Sequence, residues 1–289
     1  MLINGREIAE EMYADLIKRV GELKKNNITP HLAVILAGND KNSLSYIRQK
    51  KLAAEKIGAK LSIIQLAKNT STQDLLQIIH QLNFNDSVHA IVVQKPLPNQ
   101  IDVAQIDKAV NSNKDVDAFN PQSKFVLALP LAVIKILQIC HSQNNLTMKQ
   151  FNNLSSDFLS WLKTKSIVIL GKGQTAGQPT IDYLQKLGLQ PIVIDQHTPN
   201  PQALTKSADI IISAVGKENT IRKNNIKPGV ILIGVGMDTN EENKLRGDYN
   251  VDEIKDIASF YTPTPGGVGP VNVASLMENV ITAAEQSQL

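Results

Sequence analysis

The sequence predicts an α/β protein with mostly parallel sheets, because strand-length apolar runs alternate with amphipathic helical stretches along most of its 289 residues. Two further observations agree with this. The length allows about two domains, and a 42% hydrophobic share is ordinary for a chain that buries a sizeable core. A helix over 7–24 comes first, with Ile8, Met12, Leu16 and Val20 on one face. Residues 32–37 read as a buried strand. A helix over 43–57 follows and stops at Gly58, where a left-handed residue is expected. The next strand covers 61–66. Ser71 and Asp74 then give a capping-box start to a helix that ends near Leu82. A third strand over 90–94 is ended by Pro96 and Pro98. Together these make one βαβαβ unit.

The middle is less regular. Residues 130–139 read as a buried helix, and 142–156, rich in Asn, Gln and Ser, as an exposed insertion. A second series of strands is expected at 166–170, 191–195, 209–215 and 230–235, with the last clear helix over 271–286.

Composition excludes several function classes. Thirty basic against 27 acidic residues leave a net charge of +3, with the signs mixed and no Lys/Arg block of the kind that binds nucleic acid or a membrane surface. Only five of the basic residues are Arg, which weakens any phosphate-clamping surface further. Cys140 is the single cysteine, so an internal disulfide framework and a multi-cysteine zinc site are excluded, and no metal site is expected. The longest apolar run, 126–134, falls far short of the ~20 residues that a membrane span needs. The chain opens on a polar, helix-like segment rather than a signal peptide, and the expected location is the cytoplasm.

The strongest local motif follows the strand at 166–170. Gly171, Gly173 and Gly177 let the backbone turn tightly and bring amides close to a pyrophosphate at a helix N-terminus. The spacing is relaxed from the usual fingerprint, but Asp195 ends the next strand, as a dinucleotide site requires. A glycine turn in a generic α/β domain is the plainer alternative. Tyr46 and Lys50, four apart, share one helix face. A lysine amine in a partly dry pocket can take and give protons near neutrality. Taken alone, the spacing more often marks a surface lysine packed on a tyrosine ring. Gln94 lies at a strand's carboxyl end, where open α/β sheets bind ligands. Asp115 and Asp117 share a loop, and a carboxylate there can accept two hydrogen bonds from an amino-pyrimidinone edge. Metal binding competes as a reading, but no His or Glu cluster is near to complete a site. The segment from Tyr261 to Pro270 is dense in Pro and Gly and directly precedes an apolar helix, which suits a site wall better than a linker.

In this order the pieces resemble the methylenetetrahydrofolate dehydrogenase/cyclohydrolase family. The resemblance covers nearly the whole chain. It rests on Ser43, Tyr46 and Lys50, on Val92 to Leu97, on Lys114 to Asp117, on the Gly171 loop, on Gly247 and Asp248, and on the string Pro263 to Pro270. It implies two α/β domains flanking a cleft, the second a Rossmann-like nucleotide-binding domain. The expected boundaries are 1–121 plus 271–289 for a folate-binding catalytic domain and 122–270 for an NAD(P)-binding domain. It also implies oxidation of 5,10-methylenetetrahydrofolate and hydrolysis of the methenyl product to 10-formyltetrahydrofolate, in a cytoplasmic homodimer of one-carbon metabolism and purine biosynthesis. By the same resemblance Lys50 is the catalytic lysine, Gln94 assists it, Tyr46 stacks near the folate reaction centre and Asp117 holds the pterin ring. Ser43, Pro96, Pro265, Gly266, Gly269 and Pro270 meet the substrate. Gly171, Lys172, Gly173, Gln174, Thr175, Gly177, His197, Thr198, Val215, Gly216, Gly236 and Met237 meet the cofactor.

Some positions depart from the family pattern. Lys95 stands where Leu is usual and puts a second amine beside the site. Ala118 replaces a Gly, Leu129 a Thr, Gly234 an Asp and Asn272 a Thr. Cofactor choice rests on conflicting signals. Asp195 at a strand end favours NAD, whereas Lys172 with His197 and Thr198 matches the phosphate pocket of the family's NADP-dependent members. NADP is the expectation, with NAD as the alternative. Two other readings stay open. One is a catalytically weakened relative that binds folate or a dinucleotide. The other is an unrelated two-domain oxidoreductase of shikimate-dehydrogenase type, which lacks the Tyr46–Lys50 and Pro265–Pro270 strings.

Overall fold

The computed structural model of the chain describes residues 1–142, 154–239 and 245–287. By internal contacts the chain forms two compact units, one from Glu11–Ala128 and Val273–Leu289, the other from Met1–Glu10 and Leu129–Asn272. Each has its own parallel sheet.

The first unit holds three strands. Along it run α1 (Gly5–Lys25), β1 (His31–Ala37), α2 (Lys41–Ile57), β2 (Lys60–Leu66), α3 (Thr72–Asn83), β3 (Ala90–Val93) and the short α4 (Val103–Ala109). The strand order is β2-β1-β3, with both pairings parallel. The central β1 is buried at all seven positions, which is why its sequence is a near-continuous apolar run rather than an alternating one. Ile35 and Ile91 pack in one core cluster with Leu75 and Ile79 of α3 and Ile106 of α4. The expected capping box is present at α3, where Ser71 Oγ accepts from the Asp74 amide and Asp74 Oδ2 from the Ser71 amide, both at 3.2 Å. Helix α2 starts earlier than its sequence pattern indicated, because Asp40 is the cap: its Oδ2 accepts the Ser43 amide at 2.8 Å. It closes as expected at Gly58, whose φ is 77°.

The second unit holds α5 (Ala128–Ser142), α6 (Ser156–Lys163), β4 (Ile167–Leu170), α7 (Gly177–Lys186), β5 (Ile192–Ile194), α8 (Pro201–Ser207), β6 (Ile210–Ser213), β7 (Ile231–Gly234), the hairpin β8 (Met237–Thr239) and β9 (Leu245–Gly247), α9 (Val251–Ile254), β10 (Phe260–Tyr261) and the start of α10 (Val268–Gln286). Its main sheet has the order β10-β7-β6-β4-β5, all parallel. After β5 the chain crosses to the other side of β4, so the connections reverse there, and ligands of open α/β sheets bind at such a point. Most of the expected insertion, 143–153, lies outside the described residues. At its tail Ser155 caps α6 by accepting the Phe158 amide at 3.1 Å, and the helix starts at Ser156. No helix among the described residues is long and apolar enough to cross a membrane.

Helix α10 secures the loop that follows α4. Buried Asn279 donates through Nδ2 to the carbonyls of Val116 at 3.0 Å and Val126 at 2.9 Å. Replacing Asn279 by Ala leaves two carbonyls without that donor and should lower stability by about 1–3 kcal/mol. Urea unfolding with an unchanged midpoint would mean that the carbonyls find other donors.

Candidate active site

In the three-stranded unit the functional side chains gather at the carboxyl ends of the parallel strands. The amide of Gln94 continues the ladder by donating to Ile35 O at 2.9 Å, which brings its side chain out just past β3. Helix α2 leaves the neighbouring strand, β1, and its register turns Lys50 toward that point: Lys50 Nζ donates to Gln94 Oε1 at 3.0 Å. Gln94 Nε2 in turn donates to Lys95 O at 2.8 Å, so both ends of the amide are spoken for and its orientation is fixed. Ser43, 1% exposed, is held by its amide bond to the Asp40 cap, and its hydroxyl lies 3.5 Å from the same Lys95 carbonyl. Tyr46, one turn before Lys50, is 48% exposed and so presents an open ring face. Pro96 is exposed and follows a cis peptide bond. Lys95 is not a free second amine. Its Nζ lies 2.7 Å from Asp107 Oδ2 and 3.5 Å from the centroid of the Phe119 ring.

The acidic loop separates into two roles. Its start runs alongside β3, with Ile91 bridging to Asp115 and donating to Lys114 O at 2.7 Å. Asp115 is 3% exposed and its Oδ2 accepts the Asn120 amide at 2.8 Å. Burial, with the charges of Asp117 and Asp107 adding to it, pushes this carboxyl up to about 6. Asp117 is only half-buried, and among the described residues its carboxylate has no hydrogen-bond donor or cation as partner. One carboxylate shapes the loop; the other is left without a protein partner among the described residues.

In the five-stranded unit the glycine loop turns from β4 into α7. A Cβ on Gly177 would overlap the carbonyl of Gly171, so the close approach of helix and turn needs a glycine there. Gly173, by contrast, has open space around it. No side chain caps α7 at Ala176, and Lys172, Gly173, Gln174 and Thr175 are exposed, so the helix N-terminus stands open. The next strand end differs from the sequence expectation, which set Lys172 against Asp195. The two are partners, with Lys172 Nζ 2.7 Å from Asp195 Oδ2. Asp195 Oδ1 also accepts the His197 amide at 2.9 Å and the Thr198 hydroxyl at 3.1 Å. The bond from Lys172, then that from His197, holds Asp195 down at about 2. Thr198 is thereby engaged in this turn, while the His197 side chain is exposed.

The loops after β6 and β7 are organised by Asp248, a fully buried carboxylate. It accepts the Ser213 hydroxyl at 2.6 Å, the Val215 amide at 3.1 Å and the Lys217 amide at 2.8 Å. A Cβ at Gly236 would collide with the same carboxylate and with the Gly216 amide. Val215 and Met237 flank this junction at 43% and 39% exposure. Pro265, Gly266, Gly269 and Pro270 lie in this unit too, with Thr264–Pro265 cis and Gly266 at φ 102°. No group of three or more His, Cys, Asp or Glu that could hold a metal ion is present among the described residues.

Comparison with known proteins agrees with this arrangement. The family model for the catalytic domain of tetrahydrofolate dehydrogenase/cyclohydrolase matches residues 3–117, and that for its NAD(P)-binding domain matches residues 147–288. The chain belongs to the tetrahydrofolate dehydrogenase/cyclohydrolase family. The bifunctional protein FolD of Staphylococcus epidermidis is 38% identical over 98% of this chain and 96% of its own. The bifunctional enzyme FolD from Campylobacter jejuni superposes with a TM-score of 0.89 at 32% identity, over 100% of this chain and 99% of that one. The Trypanosoma brucei FolD, solved in complex with NADP cofactor and inhibitor, gives a TM-score of 0.87 at 28% identity, over 100% and 98%. Family membership sets aside the unrelated shikimate-type oxidoreductase.

Sequence reading missed Asp248 and Asn279 as organisers of the two units' loops. The acid of Gly247–Asp248 stood out only through the family resemblance, and nothing local marked Asn279.

The raised Asp115 generates a pH dependence. An unfolded aspartate titrates near 4, so between about pH 4 and pH 6 the folded chain holds a proton that the unfolded chain has lost, and stability falls as pH rises through that window. Asp115→Asn removes the effect. The variant should gain on the parent by at most about 3 kcal/mol between about pH 4 and pH 7, read by urea unfolding across that range. A pH-independent difference would reject the assignment.

Proposed function

We propose that the chain oxidises 5,10-methylenetetrahydrofolate to the 5,10-methenyl form with NADP and hydrolyses that product to 10-formyltetrahydrofolate. The observation that carries this reading is the Lys50–Gln94 hydrogen bond at 3.0 Å, which aims a proton-carrying amine at the carboxyl ends of a parallel sheet. Lys50 is the catalytic lysine. In its neutral form it takes one proton from the water that adds to the methenyl carbon and returns it to the ring nitrogen as the carbon–nitrogen bond breaks, while the remaining hydroxyl proton leaves to solvent as the formyl carbonyl forms. Gln94, oriented through Lys95 O, keeps that amine on target. Tyr46 offers its exposed ring to the folate, and the unpartnered Asp117 carboxylate accepts hydrogen bonds from the pterin edge. Ser43, Pro96, Pro265, Gly266, Gly269 and Pro270 are the remaining substrate positions. The three-stranded unit is thus the folate-binding catalytic domain and the five-stranded unit the nucleotide domain.

The residues of the second unit fit a dinucleotide. The uncapped α7 N-terminus and the Gly171–Gly177 contact leave backbone amides free for a pyrophosphate. NADP, when bound, supplies the acceptor for the hydride that leaves the methylene carbon. Gly171, Lys172, Gly173, Gln174, Thr175 and Gly177 hold its phosphates. Val215, Gly216, Gly236 and Met237 would meet the same cofactor, with the Val215 amide held by Asp248. Pairing with Lys172 offsets the negative charge of Asp195, which favours a 2′-phosphate over the bare ribose that a free carboxylate selects. Lys172 and the exposed His197 then contact that phosphate, with Thr198 bracing their turn. The chain acts as a cytoplasmic homodimer that supplies one-carbon units, including those for purine synthesis.

A spectrophotometric assay with methylenetetrahydrofolate and each cofactor tests the reading as a whole. Lys50→Met should reduce methenyl hydrolysis by about 10²–10⁴-fold while folate still binds. Near-normal hydrolysis in that variant would refute the role of the lysine. For the cofactor, the parent should use NADP more efficiently than NAD. Lys172→Ala should cut NADP efficiency by about tenfold or more with NAD use little changed, the scale of one lost charged hydrogen bond. An NAD preference in the parent would return the decision to Asp195.

A further inference from the structure

Two departures from the family pattern, Lys95 and Ala118, are linked through Phe119: Lys95 lies over its ring and Ala118 precedes it in the chain. Lys95 directly follows Gln94, and its side chain turns to the loop that carries Asp117. Its Nζ is 2.7 Å from Asp107 Oδ2 of α4, with both side chains only 20% exposed, and 3.5 Å from the Phe119 ring centroid. Ala118, between Asp117 and Phe119, has φ 53°, a left-handed conformation that costs an alanine free energy and a glycine almost none.

The flanks of this turn are firmly held. Asn120 donates its amide to Asp115 Oδ2 at 2.8 Å and its Nδ2 to Val110 O at 2.8 Å, and Ser123 Oγ donates to Asp115 O at 2.8 Å. Between the flanks the hold is thinner. The Ala118 amide reaches Asp115 O at 3.2 Å, and among the described residues Lys95 on Phe119 is the one attractive polar contact made by the side chains of 117–119. We propose that Lys95, braced by Asp107, clamps Phe119 and so holds the left-handed Ala118 turn in the shape that presents Asp117. Lys95 is then a positioning residue for the pterin ring rather than a catalytic one. The consequence for the pterin rests on the folate reading above, whereas the clamp itself does not.

Amide hydrogen exchange on the ligand-free protein, paired with steady-state kinetics, tests both parts. Lys95→Leu should speed exchange at the Ala118 amide, with the firmly held Asn120 amide little changed, and raise KM for methylenetetrahydrofolate, each effect being about two- to fivefold, the scale of one partly exposed cation–π contact. KM for NADP and kcat should stay within about twofold. Phe119→Leu, which spares the Lys95–Asp107 pair, should do the same. Adding Ala118→Gly to Lys95→Leu should restore both readouts, because the turn then needs no clamp. Unchanged exchange in both single variants, or no restoration by the glycine, overturns the clamp. Faster exchange with an unchanged folate KM overturns its role in binding. A parent without folate turnover overturns that role together with the folate reading, while exchange still decides the clamp.

Discussion

Parallel strand pairing is the constraint on which the rest of the structure depends. Strands that run the same way all finish at one edge of their sheet, and the residues just beyond that edge leave the ladder with backbone groups and side chains to spare. In the three-stranded unit this brings Gln94, after β3, within reach of a lysine on the helix that follows β1. In the five-stranded unit it brings the loops after β6 and β7 together around one buried carboxylate, with Gly171 after β4 packed close to Ala214. The chemistry-bearing side chains are scattered along the sequence and neighbours in space for this single reason.

The same constraint explains what was legible in the sequence. Signals written within a few residues were readable: the Ser71–Asp74 capping box, the left-handed stop at Gly58, the glycine turn into α7 and the apolar run of β1 all act over less than one element. The Tyr46–Lys50 spacing was readable as a helix face, but only the fold shows that Lys50 reaches Gln94, 44 residues away. Asn279 bonds a carbonyl 163 residues distant and Asp248 a hydroxyl 35 residues distant, and no local pattern records such partners. The acidic loop was readable as a carboxylate pair, yet the division of labour between Asp115 and Asp117 follows from burial, which a two-residue spacing does not encode.

Three carboxylates illustrate how differently one side chain is handled. Asp248 is buried and surrounded by a hydroxyl and two backbone amides, so neutral donors aimed at it stand in for solvent. Asp115, with fewer donors and two acidic neighbours, is driven toward its protonated form. Asp195 sits at the surface beside Lys172 and stays firmly charged. Loop architecture is built from the first two, and the third ties Lys172 to the turn at His197 and Thr198.

The division of the chain into units also carries a consequence for its synthesis. The three-stranded unit takes Val273–Leu289 from the far end of the chain, and the five-stranded unit takes Met1–Glu10 from the near end. A ribosome that has released the first 128 residues has therefore delivered every strand of one sheet without the helix that secures its acidic loop, and the carbonyls of Val116 and Val126 wait for Asn279. Domains of multidomain chains usually mature in order from the amino end as they emerge. Here the strands of the first sheet emerge long before the helix that completes their unit, so the nascent chain carries that sheet without its Asn279 brace until residue 279 has been made.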